Sequence, residues 1–514
     1  MNSVSMESET SYSAIVSKPS QDSKVGISFI AKDEGVHVSS IVPGGIADNA
    51  GIKTGDRIIF INGHPAGNLS AHQAASLLRK GDGKIEIIAE NPDVNLDDGT
   101  LEEVASAASL DSGKIASTMS DGLGMTILII QVVMVMVIKT GEYGSLSDFS
   151  MKQYSIFRDI MVMLLLGFGY LMTFLEKYGL SAVGLTMLVT VLNMECNLLI
   201  EGGLTHDLSI SLKSIINAEF SAAALLISFG ALIGRATPLQ MVLIAVCEAL
   251  FYTLNKVYVV FGSLQAEDVG GTITIHMFGA FFGLAAACAL GPQRKESVSN
   301  NSASRVSDVF SLVGTTLLWV YWPSFVGATE TGVAANEMRC LENTIMALIG
   351  STGAAFYLSQ LLNGGKFDAV HIQNSTLAGG VAIGATARLA MGPGMAFIVG
   401  LAAGLVSVLG YFYSSPFLEK KFGIYDTCGV GNLHGYPSVF GGLLSILLVY
   451  LYPNPDLLQH AVGMQSLVQL GAVTATIISA SVTGYLTGIV VLAINPSYFA
   501  SVPDYEDMVW WLGE

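Results

Sequence analysis

The pattern of apolar and polar positions changes character near residue 120. Before it, short runs rich in Val, Ile and Phe (VGISFI, GVHVSSIV, DRIIFINGHP, KIEIIAE) lie between clusters of Gly, Pro, Asn and Asp, which predicts strands and turns. A helix is expected from Ser70 to Arg79, with Ser70 and Gln73 forming an S-x-x-Q capping box. Strands and one helix make a small α+β module over 14–91, after a disordered tail at 1–13 and before a polar linker at 92–121. From Gly122 the runs become long, apolar and almost free of charge. Twelve candidate membrane helices follow, near 123–138, 157–176, 182–200, 212–233, 238–255, 269–291, 308–328, 342–362, 374–391, 394–414, 432–453 and 466–494, within a membrane domain of 122–495. The acidic stretch 496–514 reads as a C-terminal tail. The expected fold class is therefore an all-α polytopic membrane protein of about twelve helices, with an inverted repeat, preceded by a small α+β domain.

Composition agrees with that pattern. Of 514 residues, 51% are hydrophobic and only 13% charged, about half the charged share of a soluble domain. The formal charge of −17 argues against a nucleic-acid partner, which needs a clustered positive surface. Five cysteines without a C-x-x-C pair exclude a disulfide scaffold and a structural zinc site. The first twenty residues contain no apolar stretch of signal-peptide length, so a cytosolic N-terminus is expected, and twelve crossings return the C-terminus to the same side. Of 15 Lys and Arg residues from Lys139 on, the expected cytosolic loops hold eight, which is weak support from the positive-inside rule. Glycine pairs four apart (Gly230/Gly234, Gly279/Gly283, Gly380/Gly384, Gly400/Gly404) predict close helix packing.

The N-terminal module resembles a PDZ domain across nearly its whole length, through Val25-Gly26-Ile27 and the run GVHVSSIVPGGIADNAGIKTGDRIIFINGHP. The resemblance implies that N–H groups around Val25, Gly26 and Ile27 hold a C-terminal carboxylate, supported by Lys18 or Lys24, while the peptide adds a strand beside the helix. The same alignment puts Ala71, rather than His72, at the start of the helix where that family often has a reading histidine. A hydrophobic ligand preference is expected, with His72 turned off the groove.

Two segments of the membrane part repeat a spacing 158 residues apart. Asp268 is followed by Gly271 and His276, and Asp426 by Gly429 and His434. Eight residues are just over two helical turns, so each Asp near a surface precedes a His about 12 Å deeper. By the counted spans the two segments run in opposite directions, the arrangement an inverted-repeat transporter places about a central pathway. An isolated membrane histidine is commonly a packing residue. Two in matching contexts favour a pathway, where a neutral imidazole offers both a donor and an acceptor.

Residues 123–495 resemble the Rh-glycoprotein branch of the ammonium transporter superfamily, through INAEFSAAALLISFGALIGRATP, EDVGGTITIHMFGAFFGL, LLWVYWPSF, VHIQNSTLAGGVAIG and DTCGVGNLHGYP, among others. The resemblance implies an inverted repeat, a homotrimer and one pore per subunit. It makes His276 and His434 the pore histidines, Phe220 and Phe325 a stacked gate, and Asp268 and Asp426 paired structural carboxylates. No Trp occurs between Arg235 and Trp319, where the ammonium-transporter branch commonly has a vestibule Trp, so net transfer of neutral ammonia is expected over electrogenic uptake. Glu219, where the related motif often has Asp, and Glu195 in the third span are the departures; Glu195 is either a pore or interface carboxylate, or a buried pair or protonated packing residue.

The expected function is an ammonia or ammonium channel carrying a peptide-binding module, in the plasma membrane with both termini cytosolic. Its expected partners are ammonia or ammonium, membrane lipid, two further copies and the C-terminal peptide of another protein, with no cofactor. The alternatives are an ammonium sensor or scaffold, and a carbon dioxide channel. No nucleophile with a base, phosphate loop or metal-ligand set suggests an enzyme.

Overall fold

A computed structural model describes residues 11–18, 25–32, 35–61, 64–66, 71–80, 83–90, 122–137, 143–144, 150–292, 299–330, 333–454, 457–494 and 502–511. The chain divides into two compact units, Met1–Lys114 and Ile115–Glu514. The expected linker at 92–121 and the capping residue Ser70 lie outside the described residues.

Among the described residues, the first unit is a six-stranded antiparallel sheet with two helices. Its strands are β1 (Ser11–Lys18), β2 (Ile27–Lys32), β3 (Gly35–Ile41), β4 (Arg57–Ile61), β5 (His64–Pro65) and β6 (Gly83–Glu90), and its helices α1 (Ile46–Asn49) and α2 (Ala71–Lys80). The order β1-β6-β4-β3-β2 leaves β2 at an edge, with β5 paired to β4. Val16, Val36, Val38, Ile58, Ile61, Ile85 and Ile87 fill one core with Ala74 and Leu78 of α2; period-two alternation sends Val36 with Val38 and Ile85 with Ile87 to one face, and an irregularity in β4 between Ile58 and Phe60 brings Ile61 onto the same side as Ile58. The expected boundary at residue 14 falls inside β1: Ser11 to Lys18 pair with β6 along the whole strand, so residues 11–13 are not a tail. The polar residues of SYSAIVSK masked that strand, whose apolar positions are only Tyr12, Ala14, Ile15 and Val16.

The second unit is helical. Among the described residues, ten helices are long and apolar enough to cross a membrane: α4 (Met151–Phe174), α5 (Gly179–Thr205), α6 (Leu212–Leu232), α7 (Pro238–Leu264), α8 (Thr272–Leu290), α9 (Arg305–Gly327), α10 (Ala334–Leu362), α13 (Pro393–Phe422), α14 (Gly431–Leu451) and α15 (Val462–Ala493). Ahead of them stands the shorter apolar helix α3 (Gly122–Val137). Twelve spans were expected, and the remaining one, 374–391, is a broken run: α11 (Ala369–Ser375), α12 (Ala378–Ile383) and a 3-10 turn, Gly384–Thr386. Its buried position explains the break. Thr272 Oγ1 donates to the Val381 carbonyl at 2.6 Å and accepts from Ala385 N–H at 2.8 Å, so neighbouring segments satisfy the backbone that a continuous helix would pair internally.

Helix starts follow the local chemistry. Ser211 with Ser214, Thr237 with Gln240 and Ser304 with Ser307 form reciprocal caps, and Pro238 opens α7. Helices α6 and α8 are the most deeply buried of the ten, whereas α15 is the least buried. An outer ring can expose Leu, Ile and Val because lipid is as apolar as they are, so only the central helices are apolar on every side within protein. Two of the predicted glycine pairs are tight contacts: a Cβ at Gly279 would lie 2.4 Å from the Ala224 carbonyl oxygen, and one at Gly400 1.9 Å from that of Ala347.

Residues 502–511, expected as part of an acidic tail, pack against this unit. Tyr505 is fully buried and its N–H donates to Gly234 O at 2.6 Å, Asp507 Oδ2 accepts from Ser181 N–H at 2.8 Å, and Trp511 Nε1 donates to Ser181 Oγ at 2.8 Å. Three aromatic residues within YEDMVWW outweigh the local charge and bring the segment down onto the helices.

Candidate functional site: two mouths and a buried ring column

The repeated Asp-Gly-His segments have a common local structure. Asp268 accepts from the N–H groups of Ile273 (3.0 Å) and Thr274 (2.7 Å) and from Thr274 Oγ1 (2.8 Å); Asp426 accepts from Val430 and Gly431 N–H, each at 2.8 Å. Both carboxylates thus satisfy N–H groups that a helix start leaves unpaired. Between Asp and helix the chain turns through Gly271 (φ 72°) and Gly429 (φ 70°), a left-handed conformation open to glycine. Each helix then begins as a π-turn, Thr272–Met277 and Gly431–Gly435, and each π-turn carries its histidine. Such wide turns re-aim side chains and recur at functional positions.

The two histidines meet at the centre of the unit. His276 Nδ1 and His434 Nδ1 are 3.2 Å apart, the rings lie 14° from parallel, and each residue is 1% exposed. Either nitrogen can be the donor, according to tautomer. Phe325 lies 5.9 Å from the His276 ring, and Phe220 packs 5.1 Å beyond it with ring planes 85° apart. The two phenyl rings therefore meet edge to face rather than stacked, the arrangement in which the positive edge of one ring faces the negative face of the other. On the opposite side Phe168 stacks on His434 at 6.1 Å, completing a column of Phe220, Phe325, His276, His434 and Phe168.

Sequence reasoning missed Phe168 and Trp322. The Trp322 indole stacks on His276 (5.5 Å) and His434 (6.4 Å) and forms one wall of the column. It stands three residues before Phe325, one helical turn away on the same face of α9, which was a legible signal. Pro323 removes the helical partner of the Trp319 carbonyl at that point. Gly380 makes room: a Cβ there would lie 2.5 Å from Trp322 Nε1.

One cavity reaches the Phe220 end of the column, and two smaller ones lie against the Asp426 turn that leads into the His434 helix. The first mouth is a cavity of about 470 Å³ whose wall includes Glu201, Phe220, Tyr252, Lys256, Glu267 and Asp268, with no Trp among its lining residues. At the second mouth two smaller cavities, of about 90 and 150 Å³, share Asp426, Thr427, Asn432 and Ser415. Of the other carboxylates, Glu195 accepts from Gln131 Nε2 of α3 at 2.8 Å. Glu248 accepts from Ser228 Oγ at 2.7 Å. Glu219, next to Phe220, is fully buried, and neither of its oxygens has a hydrogen-bond partner among the described residues. His371 follows the cap residue Asp368 with its ring 3.2 Å from Ser359 Oγ, and His460 Nε2 is 3.0 Å from Leu264 O.

In the first unit, Val25 and Gly26 direct their carbonyls to Ala47 and Val42 N–H, and Ile27 opens β2 opposite Ile41. Ala71 begins α2, and Lys18 Nζ donates to the Leu78 carbonyl at 3.2 Å, near the other end of that helix. Lys24 and the His72 side chain lie outside the described residues.

Among the described residues, ten long apolar helices around a buried column of rings, with cavities at Phe220 and at the Asp426 turn, define a multi-pass membrane protein of the transport class. Comparison makes this specific. The profile of the ammonium transporter family matches residues 124–496, and that of the PDZ domain residues 4–90. The chain is 40% identical over 370 residues to the ammonium transporter Rh type A of Bos taurus, covering 70% of this chain and 84% of that protein. It is 38% identical over 393 residues to the ammonium transporter Rh type B of Mus musculus, covering 72% and 85%. Among solved structures it is similar to Rh50 of Nitrosomonas europaea, with a TM-score of 0.62 and 32% identity over 71% of this chain and 92% of that one. The chain belongs to the ammonium transporter family, resembles its Rh branch, and carries an N-terminal PDZ domain. It is a transport protein rather than an enzyme.

Proposed function

We propose that this chain conducts ammonia through the ring column, receiving it as ammonium at the first mouth and passing the neutral molecule between Phe220 and Phe325 and along His276 and His434 to the second. The observation that carries this reading is the pair of buried imidazoles in direct contact within apolar walls. Ammonium is costly to strip of water, whereas ammonia is neutral and finds both a donor and an acceptor on imidazole. A lumen that penalises charge selects a species able to leave its proton behind, which potassium cannot do. The absence of Trp from the lining of the first mouth supports net neutral transfer, since no indole face is offered there to a cation.

In this reading Phe220 and Phe325 gate the entrance, Asp268 and Asp426 hold the two helix starts, and three copies assemble with one pore each. The first mouth faces outward from the plasma membrane and both termini are cytosolic. The module at 14–91 captures the free C-terminus of another protein. Support for that part is the exposed edge of β2, with α2 packed beside it and small Ala71 at the start of that helix. Proteoliposome flux with simultaneous current recording tests the transport reading: accelerated ammonia flux with little current is expected. A protein that binds ammonium without accelerating its flux would instead be a sensor.

A further inference from the structure

Three carboxylates line the cavity at the first mouth, and each is already occupied. Asp268 is taken by its own helix start, through Ile273 and Thr274. Glu267 is gripped through both oxygens by Arg388 Nε and Nη2, while Arg388 Nη1 holds Glu330 at 2.9 Å. Glu201 accepts from Lys256 Nζ at 3.0 and 3.1 Å, with the Asn217 amide 3.4 Å away. An ammonium ion entering this cavity finds no vacant carboxylate among the lining residues.

The three are not held equally. Freeing Asp268 would uncap the π-turn that carries His276. Freeing Glu267 would break a planar guanidinium fork that also binds Glu330, and such a fork is preorganised. Lys256 is different in kind: a compact charge on a flexible four-carbon stem, paired where both side chains keep some exposure, 12% for Lys256 and 16% for Glu201. The group it presents is a primary ammonium, chemically close to ammonium itself. An acceptor is also left over beside Glu201, because Asn197 has its Nδ2 3.5 Å from Glu201 Oε2 while its buried Oδ1 has no partner among the described residues.

We propose that Lys256 is a built-in competitor for incoming ammonium: its side chain occupies Glu201, the one exchangeable carboxylate lining the first mouth, and so sets a low apparent affinity for the ion there. This rests on the transport reading above, in which ammonium enters at this end. Exchange of one ammonium group for the other keeps Glu201 paired, so no carboxylate is left bare as the lysine moves aside. Raising total ammonium shifts the exchange by mass action.

The test uses the full chain in proteoliposomes, with initial flux measured against total ammonium at fixed pH and ionic strength. K256M is expected to lower the half-saturating concentration roughly fivefold, equivalent to about 1 kcal/mol for an ion pair that keeps some contact with solvent. K256R is expected to raise it, because the guanidinium fork holds Glu201 more firmly, and adding E201Q to K256M should abolish the gain. A conducting K256M with half-saturation at or above the wild-type value overturns the proposal, as does a K256R with lower half-saturation. A second readout separates this idea from transport: thermal stabilisation of the detergent-solubilised chain by ammonium chloride relative to potassium chloride. It should reach its midpoint at lower concentration in K256M, and an unchanged midpoint overturns the competition. A wild-type protein stabilised by ammonium, more readily so in K256M, yet without flux, defeats the transport reading and leaves the competition standing.

Discussion

Replacing one pore histidine tests the ring column most directly, and its size follows from the contact itself. In His276→Ala the Nδ1 partner of His434 disappears from a site where each ring is 1% exposed, so the remaining imidazole keeps an unpaired polar atom that water does not easily reach. Leaving a buried donor or acceptor unsatisfied costs about 1–3 kcal/mol. If that cost falls on the step in which ammonia crosses the histidines, flux drops roughly 5- to 150-fold, at 1.4 kcal/mol per decade. His434→Ala removes the same contact from the other side and should cost a similar amount. The double variant should then lose less than the sum, with a coupling of about 0.5–3 kcal/mol, because the shared contact can be lost only once. The assay is stopped-flow alkalinisation of proteoliposomes driven by an ammonium gradient, with size-exclusion chromatography to confirm that each variant assembles as the wild type does. Wild-type flux in the assembled double variant would refute the reasoning and return both residues to a packing role against Trp322 and Phe325.

Three further expectations bear on other parts of the molecule. At fixed total ammonium, flux through the wild type should rise about tenfold per pH unit below the amine's pKa, with little current, since the neutral fraction grows in that proportion; a voltage-dependent current of one charge per nitrogen would defeat the neutral version while leaving transport intact. Gly429→Ala should destabilise the second Asp-Gly-His turn by at least ~1–2 kcal/mol, because the left-handed φ of 70° disfavours a side chain and the added Cβ would lie 2.1 Å from Tyr411 Oη; an unchanged melting temperature in detergent would contradict this. A screen of the isolated 14–91 segment, extended to Ser11 to keep β1 whole, against free C-termini should select peptides with an apolar residue two positions before the end, and amidation of the best binders should abolish binding; equal affinity after amidation rules out the carboxylate loop.

Much of this protein was readable without coordinates, for a physical reason. A lipid environment forces long uncharged runs, and those runs alone placed the ten long helices and marked the N-terminal module as a different kind of structure. The 158-residue repeat of Asp, Gly and His was equally visible, since a capping carboxylate, a left-handed turn and a ring at fixed offsets are all local requirements of one chain segment. What the sequence could not supply was anything that depends on two segments distant in the chain. The direct contact of His276 with His434, the edge-to-face meeting of Phe220 with Phe325 and the Trp322 wall exist only because π-turns rotate two helix starts toward each other and Gly380 leaves space for an indole. The broken run at 369–386 looked like a continuous span because hydropathy counts side chains, whereas the break is stabilised by Thr272, more than a hundred residues away. For the same reason β1 escaped notice: its pairing partner, β6, lies at the far end of the module. The segment 502–511 looked like a tail because its charge is local, while the groups that seat Tyr505, Asp507 and Trp511 come from Gly234 and the start of α5. Local chemistry determined the elements and the chemical types at the site; tertiary packing decided which of them touch, and with it the line of rings along which ammonia is proposed to pass.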